Sequence, residues 1–288
     1  MSTSRRWLAA LAVGTLATLG VVATSSGCMN SVKERIALKK GNELYVAKKY
    51  ELAIAEYQKL LAINPNSWEG NYLTAVSYLA LYHPGSDHPK DKEYADKGLA
   101  AFEKTLSLPA PNPEQREKTE KFYLSFLDST GDKDKAIAYL EKQLASRPND
   151  IALINQIATM YQKKGDFVKS LEYFEKRANM DPRNKETWYT LGVNCWARSY
   201  HGGLAVSQEE REAVVDKGIK ALERALEIDP NYFDALSYIN LIYIEKAKAL
   251  SAVGKNEEAG QAYAKSDEYR KRAIDVRKAQ SAKDKATG

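Results

Sequence analysis

Apolar and small residues return at helical spacing in four stretches that can be laid over one another, each closing on a proline. They are "GNELYVAKKYELAIAEYQKLLAINP" (41–65), "GDKDKAIAYLEKQLASRP" (131–148), "GDFVKSLEYFEKRANMDP" (165–182) and "GIKALERALEIDP" (218–230). A period near 3.6 with charge on the opposite side predicts amphipathic helices. Glycine ahead of the run and proline behind it predict where the helices turn and stop. The chain reads as all-α, made of helix-turn-helix units whose apolar faces are buried only by stacking on neighbours.

The positions filled in this way are Gly41, Leu44, Tyr50, Ala53, Tyr57 and Pro65 in the first unit. Ala158, Tyr161, Phe167, Ser170, Phe174 and Pro182 fill them in the fourth, and Trp188, Leu191, Gly192, Gly218, Leu222, Ala225 and Pro230 in the fifth. This pattern resembles the tetratricopeptide repeat (TPR) family. With first positions at 34, 68, 117, 151, 185 and 233, the spacings are 34, 49, 34, 34 and 48 residues, so repeats two and five carry extra length. The resemblance implies a helical solenoid of about six repeats over residues 34–277, ending in a capping helix and a frayed basic tail at 278–288. It also implies a protein-protein interaction scaffold with a groove along its first helices, in which Asn42, Tyr72, Asn155, Tyr189 and Trp196 face a partner peptide or helix. The carboxylate clamp of chaperone-binding relatives is not expected, because Leu38, Asn42, Leu73, Lys118 and Phe122 stand at its five polar places and only two of the five match.

The formal charge of +5 changes little in this picture. Arg5 and Arg6 lie in the first segment, and most of the remaining excess lies beyond residue 264, so the body of the chain is close to neutral. No nucleic-acid-binding face is implied. Residues 1–27, "MSTSRRWLAALAVGTLATLGVVATSSGC" up to its cysteine, have a basic start, an apolar run over 7–23 and small residues after it, the layout of an export signal. "SSGC" resembles a bacterial lipobox, although Ser25 stands where an apolar residue is usual. That resemblance implies acylation at Cys28, a short tether over 28–33, and an outer-membrane lipoprotein facing the periplasm. Cleavage after Ser25 would instead release a soluble exported protein.

Common catalytic signatures are missing: there is no His-Glu-x-x-His, Cys-x-x-Cys, Gly-x-Ser-x-Gly or Gly-x-x-x-x-Gly-Lys. No enzyme activity, cofactor or metal is expected. Cys195 falls at a core position of its repeat and reads as an inert buried thiol. Two stretches remain, "YHPG" at 82–85 and "YHGG" at 200–203, which place His83 and His201 after the first helix of repeats two and five. They read as equivalent helix ends in a duplicated array, with Gly85 or Gly202 supplying a turn conformation. The alternative makes these long loops the site of a small-molecule- or metal-binding accessory protein, His83, Asp87 and His88 being the nearest thing to a ligand set. The leading expectation is a scaffold that binds another envelope protein.

Overall fold

The computed structural model describes residues 25–287 as twelve α-helices joined by short turns and one 3-10 turn, with no strand among them. The first helices of the six pairs are α1 (Ser25–Val46), α3 (Trp68–Leu81), α5 (Pro113–Thr130), α7 (Ile151–Lys164), α9 (Lys185–His201) and α11 (Phe233–Ala252). Their partners are α2 (Tyr50–Ile63), α4 (Pro89–Ser107), α6 (Lys133–Ser146), α8 (Phe167–Met180), α10 (Gln208–Ile228) and α12 (Asn256–Thr287). The all-α class and the helix-turn-helix repeat expected from the sequence are both present. Trp68, Ile151, Lys185 and Phe233 open their helices at the expected first positions.

Local chemistry sets these boundaries. Ser67, Asn112, Asp150 and Ser207 cap α3, α5, α7 and α10 by accepting a hydrogen bond from the amide three residues on. Pro65, Pro148, Pro182 and Pro230 each stand two residues beyond the last residue of α2, α6, α8 and α10, where they bar continuation. Residues 28–33, read from the sequence as a tether, lie inside α1, and Met29 to Lys33 are exposed. Residues 278–287 continue α12 instead of leaving it, with solvent around the side chains of 278–284. A run rich in helix-forming Lys, Ala and Gln, without proline or glycine, sustains that extension.

Contacts divide the described residues into two compact units, with the division between Ala136 and Ile137. In the first, successive helices pack α1 on α2, α2 on α3, α3 on α4 and α4 on α5. Tyr57, Phe102, Phe126 and Leu127 are wholly buried there, and the Phe102 ring meets Phe126 edge to face at 6.1 Å. In the second unit, α7 to α12 pack in sequence and α9 also touches α11. Its core is Leu191, Cys195, Leu222, Leu236, Ile239 and Ile242 with their neighbours.

The small residues of the repeat are there for space. A Cβ on Gly192 would lie 2.4 Å from Leu222 Cγ, and one on Gly218 would lie 2.3 Å from Ile242 Cδ1 and 2.7 Å from Cys195 Cβ. Helices α9, α10 and α11 can approach as they do only because these two positions lack a side chain.

Candidate partner-binding face

The second unit carries a connected band of aromatic rings. Tyr189 and Trp196 lie two turns apart on α9, and both are half-buried. Tyr238 of α11 stands between them, its ring 5.7 Å from Tyr189 and 5.2 Å from Trp196, edge-on in both cases. The band continues past Tyr189 to Tyr232 at 5.2 Å, and past Trp196 to Tyr200, stacked at 5.1 Å. His201 closes it, 4.9 Å from Tyr200 and 5.9 Å from Trp196. Tyr200 is 53% exposed at that end. Lys248 lies over Tyr200 at 5.8 Å and Lys185 over Tyr232 at 4.4 Å, so each end of the band carries a cation.

The Tyr189 and Tyr232 hydroxyls remain protonated at physiological pH. Burial first, then the neighbouring Tyr238, Asp234 and Glu186, pushes Tyr189 up to about 12. Burial and a 2.6 Å hydrogen bond donated to Glu186 raise Tyr232 further. A row of ring faces with phenolic donors between them is suited to apolar side chains and backbone carbonyls of another chain.

Beside this band, at His201, a cleft of about 300 Å³ opens between α7, α8, α9 and the loop after α9. Gln162, Phe167, Asn194, Arg198, His201 and Ala205 are among its walls. The Gln162 amide donates to Asn194 Oδ1 at 2.8 Å, and the Asn194 amide to the Thr190 carbonyl at 2.8 Å, so the polar wall is held in place. Arg198 stacks over Phe167 at 4.5 Å and pairs with Glu210 at 2.7 Å. That carboxylate offsets its charge, which leaves the cleft without a strong net field.

The other residues expected to face a partner have local duties. Asn42 accepts a 2.8 Å hydrogen bond from the Tyr57 hydroxyl, and Asn155 accepts one of 2.9 Å from Arg177, so each ties the two helices of its own repeat. Tyr72 is buried, stacked on Trp68 at 5.0 Å, and its hydroxyl finds no hydrogen-bond partner among the described residues. Burial accordingly raises its pKa. Of the five, Tyr189 and Trp196 are brought into one cluster. Tyr238, which joins them, escaped the sequence reading because it lies a whole repeat away on α11. The aromatic run at Tyr232, Phe233 and Tyr238 was the available signal.

His83 and His201 differ. His83 lies outside α3, and its amide donates to Asp91 Oδ1 at 2.9 Å, with Nδ1 3.0 Å from the same oxygen. Ser86 donates its hydroxyl to Asp91 Oδ2 at 2.6 Å. The Ser86 hydroxyl and the His83 amide and ring hold the Asp91 carboxyl down to about 2, against the opposing effect of desolvation. Serine, histidine and aspartate meet here, but the serine hydroxyl donates to the carboxylate, which the His83 ring also contacts, so the order of a catalytic triad, serine to histidine to aspartate, is not followed. The cluster is a clasp that closes residues 82–88 onto the start of α4.

His88 caps the same helix, its Nδ1 accepting from the Lys90 amide at 3.2 Å. Among the described residues no group of three or more His, Cys, Asp and Glu side chains could hold a metal ion, so His83, Asp87 and His88 do not form one. His201 is the last residue of α9, and the glycine with positive φ after it is Gly203 at 50°, where Gly202 was expected. Gly202 is needed for space: a Cβ there would lie 2.0 Å from Val206 Cγ2 and 2.5 Å from the Arg198 carbonyl. Cys195 is fully buried, and burial pushes its thiol up to about 12. The backbone of residue 28 lies in α1; of the export signal expected over 1–27, residues 1–24 lie outside the described residues.

Two tetratricopeptide-repeat family models match the chain, over residues 123–150 and 152–186. Both matches support the resemblance read from the sequence. Among similar proteins, the general transcriptional corepressor trfA of Dictyostelium discoideum is 34% identical over 67 residues, 23% of this chain and 5% of that protein. The chain thus spans a small fraction of that relative's length. The photosystem I assembly protein Ycf3 of Synechococcus sp. (strain WH7803) is 23% identical over 158 residues, 55% of this chain and 81% of the relative. Among solved structures, YrrB, a TPR protein with an unusual peptide-binding site, superposes with a TM-score of 0.39 at 21% identity, over 75% of this chain and 97% of YrrB. Tetratricopeptide-repeat proteins generally mediate protein-protein interaction.

Proposed function

We propose that the chain is a non-enzymatic scaffold of the bacterial cell envelope, exported, acylated at Cys28 and held at the outer membrane. On this reading it binds an extended or helical segment of a partner protein on the α9–α11 face. The observation that carries the binding site is the connected band through Tyr189, Tyr238 and Trp196. Half-buried aromatic side chains held by one another are ordered before a partner arrives, so little side-chain entropy opposes binding. Aromatic anchors of this kind contribute about 2 kcal/mol each at protein interfaces.

The test compares recovery of a partner from detergent-solubilised envelopes by the wild type and by Tyr189→Ala with Trp196→Ala. The double variant should recover it at least about thirtyfold less well, and His83→Ala should recover it fully. Equal recovery by the double variant would sink the reading. The acyl anchor is tested separately by labelling with a fatty acid, which Cys28→Ser should abolish.

A second reading is favoured by the cleft at His201, whose fixed amides and apolar wall suit a small molecule with a neutral polar head. It predicts that His201→Ala with Asn194→Ala removes function while the aromatic double variant keeps it.

A further inference from the structure

Helix α1 shows two unlike faces. Ala37 and Tyr45 are buried, and Gly41 gives way to the ring of Tyr57 on α2. On the opposite side Met29, Val32 and Ile36 are 61%, 55% and 61% exposed. At 100° per residue these three fall within an arc of about 60°. Lys33 and Lys40 border that arc on one side and Arg35 and Lys39 on the other, all four exposed. Among the described residues, only Lys40 of these four pairs with an acid, Glu56 at 3.1 Å.

We infer that this face of α1 lies in the surface of an anionic phospholipid bilayer, the three apolar side chains at the level of the acyl-chain boundary. The distribution of charge selects this occupant. An apolar strip between two rows of lysine and arginine matches a bilayer interface, where long cationic side chains reach outward to phosphates while their stems stay with the apolar phase. Protein interface cores, by contrast, are depleted of lysine. The sequence adds continuity: the apolar run 7–23 ends two residues before α1, so on the export reading the chain delivers this helix at a membrane. No helix among the described residues is long and apolar enough to cross one. Lying in the surface is therefore a separate role from spanning it, and it orients the first repeat against the bilayer through a second, non-covalent point besides Cys28.

The experiment uses the full chain with Cys28→Ser, so that neither acylation nor export is required. Its failure is thereby separated from failure of the anchor reading. Cys195 is fully buried, so a single engineered thiol takes the label. A polarity-sensitive fluorophore is attached through Ile36→Cys, or through Val168→Cys on α8 as an exposed control, and vesicles are added.

On phosphatidylglycerol-containing vesicles the label at position 36 should brighten and shift to the blue, while that at 168 should not. Binding to vesicles of phosphatidylcholine alone should be about tenfold weaker, and Lys33→Glu with Lys39→Glu should abolish the difference. Silence at position 36 on anionic vesicles, or equal binding to both vesicle types, overturns the inference. A blue shift that needs no lipid and grows with protein concentration also overturns it, and assigns the strip to a second copy of the chain.

Discussion

The stretches at 82–88 and 200–207 begin almost alike and do the same topological work, yet they are held by different physics. The first is closed by a titrating group. Asp91 gathers the His83 amide, the His83 ring and the Ser86 hydroxyl, and Tyr82 donates to the Ser129 carbonyl at 3.2 Å to fix the entry.

The second is closed by packing and by guanidinium groups. Val206 is buried in the space that Gly202 leaves, and Arg211 donates to the carbonyls of Ser199 and of Gly203, the latter at 2.6 Å. Glycine likewise has two meanings. Gly85 has φ +77° and open space around it, whereas Gly202 has φ −70° and no room for a methyl group. Near-identical letters thus report a shared position in the repeat and nothing about the forces acting there.

That contrast can be broken. Gly202→Ala should cost about 3 kcal/mol in urea unfolding, because the new methyl group overlaps both Val206 and a helix carbonyl; adding Val206→Ala should recover part of it. A cost below that of Gly85→Ala would remove the distinction between the loops. Arg211→Met should lose about 2 kcal/mol in the same unfolding experiment, because it removes the donor to the Ser199 and Gly203 carbonyls.

Gly85→Ala should cost about 1 kcal/mol, the penalty for a side chain in the left-handed region, with Gly85→Asn nearer to neutral. Asp91→Asn differs in kind, because its effect is full at neutral pH and is lost in acid. Asp91 sits at about 2 in the fold, below the ordinary aspartate value near 4, so its ionised form stabilises the protein above about pH 4. That contribution fades as pH falls from about 4 towards 2. Stability curves of the wild type and Asp91→Asn should converge across that window, and parallel curves would show that the clasp does not depend on ionisation.

The repeat was legible because its signal is one-dimensional. Proline two residues past a helix, a capping residue before one and a small residue at the crossing each act within a single pair. Hence the helix starts at Trp68, Ile151, Lys185 and Phe233 follow from the chain alone. What was hidden depends on side chains meeting from distant positions. Tyr238 becomes part of the face only because α11 packs on α9. Asn42 and Asn155 occupy outward-reading positions, but Tyr57 and Arg177 reach round and use them. Gly202 was given the role of its neighbour Gly203, since nothing in "HGG" distinguishes a need for space from a need for positive φ. In α1 the exposed strip, Met29, Val32 and Ile36, straddles the boundary at 33 that the sequence suggests between tether and solenoid.

Gly218 has a consequence for motion. It stands where α9, α10 and α11 meet, close enough that one added carbon would strike both Ile242 and Cys195. Stacked arrays loosen from their ends, and a junction of three helices lets none of them open alone. Amide protons of α9 to α11 should therefore exchange with solvent as one slow block, behind the outer turns of α12. The aromatic face belongs to that block, so a partner would meet a surface whose shape is the same from one encounter to the next.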